Sequence, residues 1–336
     1  MSNKDLETLT AMLTYRRPAG SQTEAEFVAR FLLPLGVKKD QFDNHFLIVG
    51  EERPTVLWSS HTDSVHNRTG YQKVQYDGKF LRLPEKSKSN CLGADCASGV
   101  WIMMEMIKAN VPGLYMFHAA EEIGCIGSSA IAEKTPQFLD GIQVAVAFDR
   151  RRTHSVITHQ GPRCCSDTFG RSIAAQLPEG YRLDPTGFLT DTKKYINLVP
   201  ECSNLSVGYF EEHHPTEKQD VDHLIKLRDH MVKIDQSKFV VERDPKKPEL
   251  PSQILSKLSS YRRKRPSTVY DLVYHNPGPI ARFLQDEVGL TFKEVNTIIE
   301  CQNQKPDIDQ GGNLSISDLF DDDDDFGFGL GSKIAS

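Results

Sequence analysis

The sequence predicts an α/β protein of three layers (αβα), with a mostly parallel central sheet between two layers of helices. Apolar runs of strand length alternate with segments of helical periodicity, which is typical of a parallel sheet covered on both faces. The strand-like runs lie at 42–49, 54–59, 113–118, 143–148 and 202–208. The helix-like segments lie at 97–109, 127–134, 165–177 and 218–235. The 336 residues are enough for a large core and a smaller additional part.

Two further helices are predicted before the first strand. Apolar side chains recur at helical spacing in 4–13 and 22–34, and Pro18-Ala-Gly-Ser between them predicts a turn. Ahead of helix 97–109, apolar residues of period two in 71–83 flank Asp77-Gly78. This pattern predicts a β-hairpin inserted into the α/β framework.

The pattern changes near residue 243, so the predicted α/β domain covers 1–242. The segment 243–265 contains eight Lys or Arg and three Pro, and it is predicted to be a basic linker. Residues 266–303 predict a small helical appendage. Residues 304–336 contain eight Asp and two Lys, and they are predicted to be a disordered acidic tail. This tail either keeps the chain in solution or docks on a protein partner through the aromatic residues beside its Asp run.

Composition excludes several classes of protein. No run of about 18 apolar residues occurs, and the first residues lack the basic and apolar start of a secretory signal, so we expect no membrane association. Seven scattered cysteines do not suit a disulfide scaffold and favour a reducing, cytoplasmic location. The basic segment 243–265 has a single Tyr, so nucleic-acid recognition is not expected.

Acidic and imidazole side chains follow the predicted strands, at the ends where an open α/β sheet binds its ligands. They are His61 and Asp63 after 54–59, Glu121 and Glu122 after 113–118, Asp149 after 143–148, and His213 and His214 after 202–208. Asp95 comes shortly before helix 97–109. Several carboxylates that converge on one edge of a sheet repel one another, and unpaired burial is costly. A bound cation is the natural remedy.

The donor atoms at these positions, oxygen mixed with imidazole nitrogen, suit Zn²⁺. Two divalent ions about 3.5–4 Å apart share a carboxylate and activate a water molecule. The sequence supplies two imidazoles, three acids and a further carboxylate adjacent to one of those acids. A carboxylate that lies near such a water without binding the metal is what general-base catalysis requires. The sequence therefore predicts a two-metal hydrolytic site.

The order and spacing of these residues resemble those of the co-catalytic di-zinc exopeptidases. This superfamily contains leucyl-type and glutamyl aminopeptidases, carboxypeptidases and aminoacylases. Five motifs carry the resemblance, over about residues 5–240. They are His61-x-Asp63, Gly93-Ala94-Asp95-x-x-x-Gly99, Glu121-Glu122-x-Gly124-x-x-Gly127-Ser128, the single Asp149, and His213-x-Pro215-x-Glu217.

The resemblance implies two zinc ions, for which Co²⁺ or Mn²⁺ can substitute. His61, Asp95 and Asp149 would bind one ion. Asp95, Glu122 and His213 would bind the other, so that Asp95 would bridge the two.

The resemblance also implies a mechanism. A hydroxide bridging the two zinc ions would attack a peptide or amide carbonyl, and Glu121 would act as the general base that passes the proton to the leaving amine. Asp63 would orient His61 through the second nitrogen of its imidazole.

Spacing favours one branch of this superfamily. Only 63 residues separate Asp149 from His213, which leaves no room for the additional domain that some branches insert there. We therefore predict a compact aminopeptidase that acts on small peptide or amide substrates. The alternatives are a carboxypeptidase, an N-acyl amino acid deacylase, or a metal-free domain that only binds a ligand.

Three positions leave alternatives open. Either His213 or His214 could be the last metal ligand; the step to Glu217 favours His213, and His214 would then face the substrate. Cys96 stands where the superfamily commonly has an acidic residue or Asn, and it could pack in the core or compete for zinc. Asp191 could line the substrate site or cap a helix.

Two other features remain to be placed. His118 shares the parity of Leu114 and Met116 on its strand, so we expect it to be structural. The run 150–152 is three arginines beside Asp149, and it either binds a substrate carboxylate or forms a solvated loop.

Overall fold

The computed structural model describes residues 3–246, which are arranged around one large sheet. The predicted helical appendage 266–303, the acidic tail 304–336 and the linker beyond residue 246 lie outside the described residues. The predicted boundaries of these parts therefore stay predictions. None of the helices in residues 3–246 has the length and apolar character that a membrane crossing requires.

Strands and helices alternate along the described residues much as the sequence predicts. The α-helices are α1 Asn3–Leu13, α2 Gln22–Phe31, α3 Ala94–Lys108, α4 Ile126–Lys134, α5 Asp167–Ala174 and α6 Val221–Met231. Short 3₁₀ helices cover Leu33–Leu35, Pro136–Leu139, Asp191–Tyr195 and Gln236–Lys238. The strands are β1 Tyr15–Arg16, β2 Lys38–Lys39, β3 His45–Val49, β4 Val56–His61, β5 Gly70–Tyr71, β6 Gln75–Tyr76, β7 Phe80–Arg82, β8 Gly113–His118, β9 Val144–Arg150, β10 Ser155–Ile157, β11 Arg182–Asp184, β12 Glu201–Ser206, β13 Tyr209–Phe210 and β14 Lys218–Asp220.

Eight strands form the central sheet, in the order β11-β10-β12-β9-β4-β8-β3-β2. Its middle four strands, β12, β9, β4 and β8, are parallel to one another, and the antiparallel pairs lie outside these four, toward the two edges. The carboxyl ends of β4, β8 and β9 therefore meet on one edge of the sheet. This confirms the predicted α/β class with a mostly parallel sheet.

Each face of the sheet packs against its own hydrophobic core, as three layers require. Trp58 of β4 and Phe148 of β9 point to one face, where their rings stack at 5.9 Å between centroids, and α1, α2, α3, α5 and α6 cover this side. Leu57 of β4 and Ala145 of β9 point to the opposite face, because each lies an odd number of positions before Trp58 or Phe148 on its strand. Helix α4 and two of the 3₁₀ helices cover this face. Successive strand residues point to opposite faces, so each strand contributes to both cores.

The differences from the predicted elements have local causes. Helix α2 ends at Phe31 and not at residue 34, because Pro34 cannot donate a helical hydrogen bond and a 3₁₀ turn follows. The predicted helix 218–235 begins later, since Lys218–Asp220 pairs with Phe80–Arg82 as a strand. The Asp220 carboxylate then caps α6 by accepting a hydrogen bond from the His223 amide at 3.0 Å.

The predicted hairpin at 71–83 is present, and it forms part of a second sheet. Strands β6 and β7 pair around Asp77-Gly78, and β7 continues into a four-stranded sheet of order β13-β14-β7-β6. This second sheet brings the segment around His213, between β13 and β14, next to the insertion. It thereby gives the loop that carries His213 a support outside the central sheet.

Helix α3 approaches the central sheet closely at Gly99. A Cβ atom at this position would overlap the Phe148 carbonyl oxygen and lie 2.7 Å from the Cys96 sulfur. Glycine is therefore required here for packing, since the residue has no need of an unusual backbone angle. The same contact fixes the start of α3, where Asp95 lies, against the end of β9, where Asp149 lies.

We predict that Gly99→Ala destabilises the protein by about 1–3 kcal/mol, because an added methyl group forces backbone or side-chain shifts in a packed interior. Urea unfolding followed by circular dichroism measures this change. Because Asp95 and Asp149 flank the contact, the variant should also bind metal more weakly. Unchanged unfolding and unchanged metal affinity would contradict the close approach.

His66 is buried and held in its neutral form. Its Nδ1 lies 2.7 Å from the Ser64 hydroxyl and its Nε2 lies 3.2 Å from the Gln72 carbonyl oxygen, so Nε2 carries the proton and donates. The side-chain NH₂ group of Gln72 already donates to two backbone carbonyls, which fixes the orientation of the amide. Burial, together with the nearby Arg17, lowers the pKa of His66 to about 3.

His66 should make stability fall in mild acid. The unfolded chain takes up a proton near pH 6.5 and the folded chain only near pH 3, so folding loses about 1.4 kcal/mol per pH unit between these values. Between pH 7 and pH 5, the free energy of unfolding measured with urea should fall by about 1–2 kcal/mol less in His66→Gln than in the parent. The exposed His154→Gln should keep the parent slope, and an equal slope in both variants would exclude this role for His66.

Candidate metal centre

The predicted site residues converge at the carboxyl edge of the central sheet. His61 ends β4, which lies between β8 and β9, and Glu122 and Asp149 follow or end those two neighbours. Asp95 lies at the start of α3, where its backbone and that of Cys96 are not helical and the peptide bond between them is cis. Ligand sites of open α/β sheets lie at this edge.

Asp95 lies between two imidazoles. Its Oδ1 is 3.1 Å from His61 Nε2, and its Oδ2 is 3.2 Å from His213 Nε2. One carboxylate that presents one oxygen to each of two imidazoles has the disposition of a bridging ligand.

Each imidazole faces a second carboxylate as well. His61 Nε2 lies 3.4 Å from Asp149 Oδ1, and His213 Nε2 lies 3.2 Å from Glu122 Oε2. These contacts are compatible with the two groups that the resemblance implies, although ligand atoms of His61, Asp95 and Glu122 also lie within 4.8 Å of one another. The assignment of ligands to two ions therefore stays a prediction. His214 contacts neither Asp95 nor Glu122 within the described residues, so the geometry favours His213 as the ligand.

Glu121 lies beside this cluster without belonging to either group. Its Oε2 is 3.9 Å from His61 Nε2, and its Oε1 accepts a hydrogen bond from the Cys125 thiol at 3.4 Å. Burial, reinforced by the nearby Asp149, raises the pKa of Glu121 to about 9 in the absence of a cation. A carboxylate that is close to the cluster and has a high proton affinity suits a group that takes and returns a proton.

Asp63 supports the site from behind. Its Oδ1 lies 3.3 Å from His61 Nδ1, and its two oxygens accept hydrogen bonds from the Glu121 and Glu122 amides at 3.1 Å each. Asp63 can therefore orient His61, as predicted, and it also fixes the backbone of the two glutamates. Burial acts to raise the pKa of Asp63, and the hydrogen bonds with His61 outweigh it, so that the pKa is lowered.

Glu217 has a role that its residue type alone did not reveal. Its carboxylate is buried and accepts hydrogen bonds from the amides of Leu92 at 2.8 Å, Gly93 at 2.9 Å and Asp95 at 3.1 Å. It therefore cradles the turn that presents Asp95. The motif His213-x-Pro215-x-Glu217 marks this residue in the sequence, although spacing does not show what it binds.

Sequence reasoning missed two partners of Asp149. The Thr190 hydroxyl donates to Asp149 Oδ2 at 2.8 Å, and the Tyr209 hydroxyl donates to Oδ1 at 3.3 Å. Thr190 stands at the N-cap of the 3₁₀ helix Asp191–Tyr195, but its side chain makes no capping bond and serves Asp149 instead. From the sequence, Thr190 could be expected to cap the helix, and nothing in its position indicated a hydrogen bond with Asp149.

Asp191 lies beneath the cluster and not on its surface. It is 1% exposed, its Oδ1 accepts from the Ser128 hydroxyl at 2.6 Å, and its Oδ2 is 3.3 Å from His118 Nδ1. His118 in turn contacts the Tyr195 hydroxyl at 2.7 Å, which agrees with the structural role expected of it. The capping interpretation of Asp191 finds no support in these contacts, and its binding of substrate stays a prediction.

Cys96 is fully buried, and its thiol donates to the Phe148 carbonyl oxygen at 3.1 Å. Its sulfur belongs with His61 and Asp149 to a group of possible ligand atoms that all lie within 4.8 Å of one another. In the absence of a cation, burial raises the pKa of this thiol well above its usual value. The contact with the Phe148 carbonyl oxygen fits the packing role, and the choice between packing and metal binding stays a prediction.

The cluster has the properties of a cation site. Glu122 Oε1 is buried and has no hydrogen-bond partner, although buried carboxylate oxygens are normally paired. Burial and the neighbouring Asp95 raise the pKa of Asp149 to about 7, and the same two causes raise the pKa of Glu122. Hydrogen bonds with Asp95 and Glu122 raise the pKa of His213 to about 11. Positive charge is thus favoured here, and the donor set fits metal ions.

We predict that Asp95→Ala removes most of the bound metal, because Asp95 is the one side chain of residues 3–246 that lies within 3.2 Å of both imidazoles. Metal analysis by mass spectrometry after dialysis against Zn²⁺ measures the loss. The exposed Asp140→Ala is the matched control and should retain the parent content. If Asp95→Ala bound as much metal as the parent, the bridging role would be wrong.

Sequence comparison gives an independent view of this part of the chain. Residues 46–163 match Peptidase family M28, and this segment contains every proposed metal ligand except His213. By sequence, none of the curated proteins compared with the chain matches it.

Three solved structures illustrate the shared fold. Aminopeptidase PepT from Bacillus cereus is 14% identical, with 68% of this chain and 96% of that chain covered and a TM-score of 0.52. A tripeptidase from Staphylococcus aureus is 15% identical, with 70% and 97% covered and a TM-score of 0.53. An aminopeptidase from the archaeon Desulfurococcus kamchatkensis is 13% identical, with 69% and 95% covered and a TM-score of 0.54.

At these identities the solved structures show a common fold, while the family match concerns the residues of the site themselves. Together they confirm the predicted resemblance to the co-catalytic di-zinc exopeptidases and the prediction of a metal-dependent exopeptidase.

Proposed function

We propose that the protein is a di-zinc aminopeptidase that removes the first residue of small peptides. The observation that carries this proposal is Asp95, which presents one carboxylate oxygen to each of two imidazoles, while the Glu121 carboxylate lies 3.9 Å from His61 Nε2 and outside both proposed ligand groups. A binding domain without catalysis would have no use for the additional buried carboxylate, which is costly to bury.

His61, Asp95 and Asp149 would hold one metal ion, and Asp95, Glu122 and His213 the other. Mixed oxygen and imidazole donors suit Zn²⁺, and Co²⁺ or Mn²⁺ can occupy such a donor set. When bound, the metals would supply Lewis-acid chemistry, which polarises the scissile carbonyl and makes a water molecule more acidic.

Glu121 would accept the proton of the attacking water and deliver it to the leaving amine. The burial of Glu121 and its position 3.9 Å from His61 Nε2 support this role. Its backbone is held by Asp63 and its Oε1 by Cys125, so the carboxylate is positioned before substrate arrives.

The architecture supports an aminopeptidase over the alternatives within the superfamily. The chain between Asp149 and His213 forms strands β10, β11 and β12 and helix α5 of the main fold, with no inserted domain among them. Two of the similar solved structures are named aminopeptidases and a third a tripeptidase. The compact branch predicted from the spacing is consistent with both observations.

A reducing cytoplasm is the proposed location. Six of the cysteines fall within residues 3–246, and all six are buried free thiols. Adjacent buried thiols such as Cys164 and Cys165 are compatible with a compartment that keeps cysteines reduced.

We predict that Glu121→Gln retains both metals and loses about 10²–10⁴-fold in kcat, because the amide cannot transfer the proton. Hydrolysis of leucine p-nitroanilide by the zinc-loaded protein, together with metal analysis, measures both effects. The exposed Glu133→Gln on α4 carries the same change of charge and should behave as the parent.

Two results would count against the proposal. Full activity of Glu121→Gln would remove this residue from the role of general base. A parent protein that binds no Zn²⁺, and hydrolyses no peptide after addition of Zn²⁺ or Co²⁺, would leave the fold without the proposed activity.

A further inference from the structure

A cavity of about 580 Å³ is lined by residues that flank two of the proposed metal ligands in the sequence. One wall is formed by Arg151 and Arg152, which follow the proposed ligand Asp149. The other wall is formed by residues 210–212, 214 and 216, which lie on either side of the proposed ligand His213 in the sequence. Every lining residue is thus within three positions of a proposed metal ligand, and the volume is within the usual range for small-ligand sites.

The backbone around this cavity is held in unusual conformations. Arg152, Glu211 and His213 have φ values of 67°, 58° and 66°, in the left-handed region that non-glycine residues seldom adopt. Each such residue costs on the order of 1–3 kcal/mol and persists only where its surroundings fix it. At Arg152 the surroundings are visible, because its amide donates to the Tyr209 carbonyl and its carbonyl accepts from the Gly208 amide, both at 2.7 Å.

The lining contains two arginines and two glutamates, and their ion pairs leave one arginine without a carboxylate. Arg151 forms an ion pair with Glu212 at 2.9 Å, and Glu211 faces Lys218 at 3.7 Å. Both carboxylates of the lining are therefore matched by a cation. Arg152 has no carboxylate partner within residues 3–246, so a fixed backbone presents one uncompensated guanidinium to the cavity.

His214 and Phe210 complete the lining that matters here. His214 adds an imidazole that can donate a hydrogen bond, and Phe210 adds an apolar surface on the strand β13. A guanidinium binds a carboxylate through two parallel hydrogen bonds, a geometry that a single ammonium group does not offer. The cavity is therefore suited to an anion that is planar, small and attached to a peptide.

We infer that this cavity is a substrate subsite in which Arg152, assisted by His214, binds a carboxylate of the peptide. The inference rests on the proposed aminopeptidase function and adds a preference for anionic substrates to it. The carboxylate has two possible sources, the free C-terminus of a short peptide or the side chain of an acidic residue.

Matched pairs of dipeptides distinguish these sources. Leu-Gly and leucyl-glycinamide differ only in the free C-terminal carboxylate. Leu-Glu amide and Leu-Gln amide differ only in the side-chain carboxylate of the second residue. Glu-glycinamide and Gln-glycinamide differ in the same way at the first residue. The inference requires that the zinc-loaded parent prefer the anionic member of at least one pair, through a lower KM.

Arg152→Gln should raise KM for the preferred anionic peptide about tenfold, since it removes a charge-assisted hydrogen bond, and should leave the neutral member of that pair unchanged. The control is Arg53→Gln, which makes the same substitution before the start of β4, at the opposite end of that strand from His61. Arg53→Gln should retain the parent preference.

Calorimetric titration separates this inference from the proposed function. Zinc-loaded Glu121→Gln is titrated with the same peptide pairs, with and without Arg152→Gln, so that binding is measured without turnover. A parent that cleaves peptides but treats both members of every pair alike would overturn the subsite. If the parent cleaved no peptide, the proposed function would be wrong. The subsite would then be tested by binding alone: anionic peptides should bind more tightly than neutral ones, and Arg152→Gln should lower their affinity about tenfold.

Discussion

The structure depends on the confinement of several carboxylates at one buried point. Asp95, Glu122 and Asp149 approach two imidazoles at the edge of the sheet where parallel strands end. Two like charges 4 Å apart repel by about 4 kcal/mol at the effective dielectric constant usual near protein surfaces. Burial disfavours the charged carboxylates and this repulsion adds to it, so without positive charge the pKa values of Asp149 and Glu122 are raised. Metal ions would replace those protons.

The same constraint explains why the three carboxylate ligands are held by side chains from other parts of the chain. Glu217 fixes the turn before α3, Asp63 fixes the amides that follow β8, and Thr190 holds a carboxylate at the end of β9. Ligands that repel one another stay close only if such contacts oppose their separation. The supporting residues are thus as much a part of the site as the ligands, and they fix its geometry before metal binds.

The strand-end residues could be predicted from the sequence because alternating strands and helices bring the carboxyl ends of parallel strands together. The supporting contacts could not. Thr190 reaches Asp149 from a connection without periodicity, and Glu217 bonds a turn more than a hundred residues away in sequence. Strands β10 and β11 have three residues each, too short for a hydrophobic period, and the strand at 218–220 depends on its pairing with β7 and β13.

His213 differs from the other proposed ligands in a way that links metal binding to the neighbouring cavity. Its side chain is 46% exposed, whereas those of His61, Asp95, Glu122 and Asp149 are at most 10% exposed. It also belongs to the loop between β13 and β14, in a left-handed conformation, and that loop forms a wall of the cavity. A metal ion bound by His213 would therefore constrain the same backbone that shapes the cavity. In the proposed enzyme, the three buried carboxylates and His61 would set the chemistry, and this loop would join the chemistry to the choice of substrate.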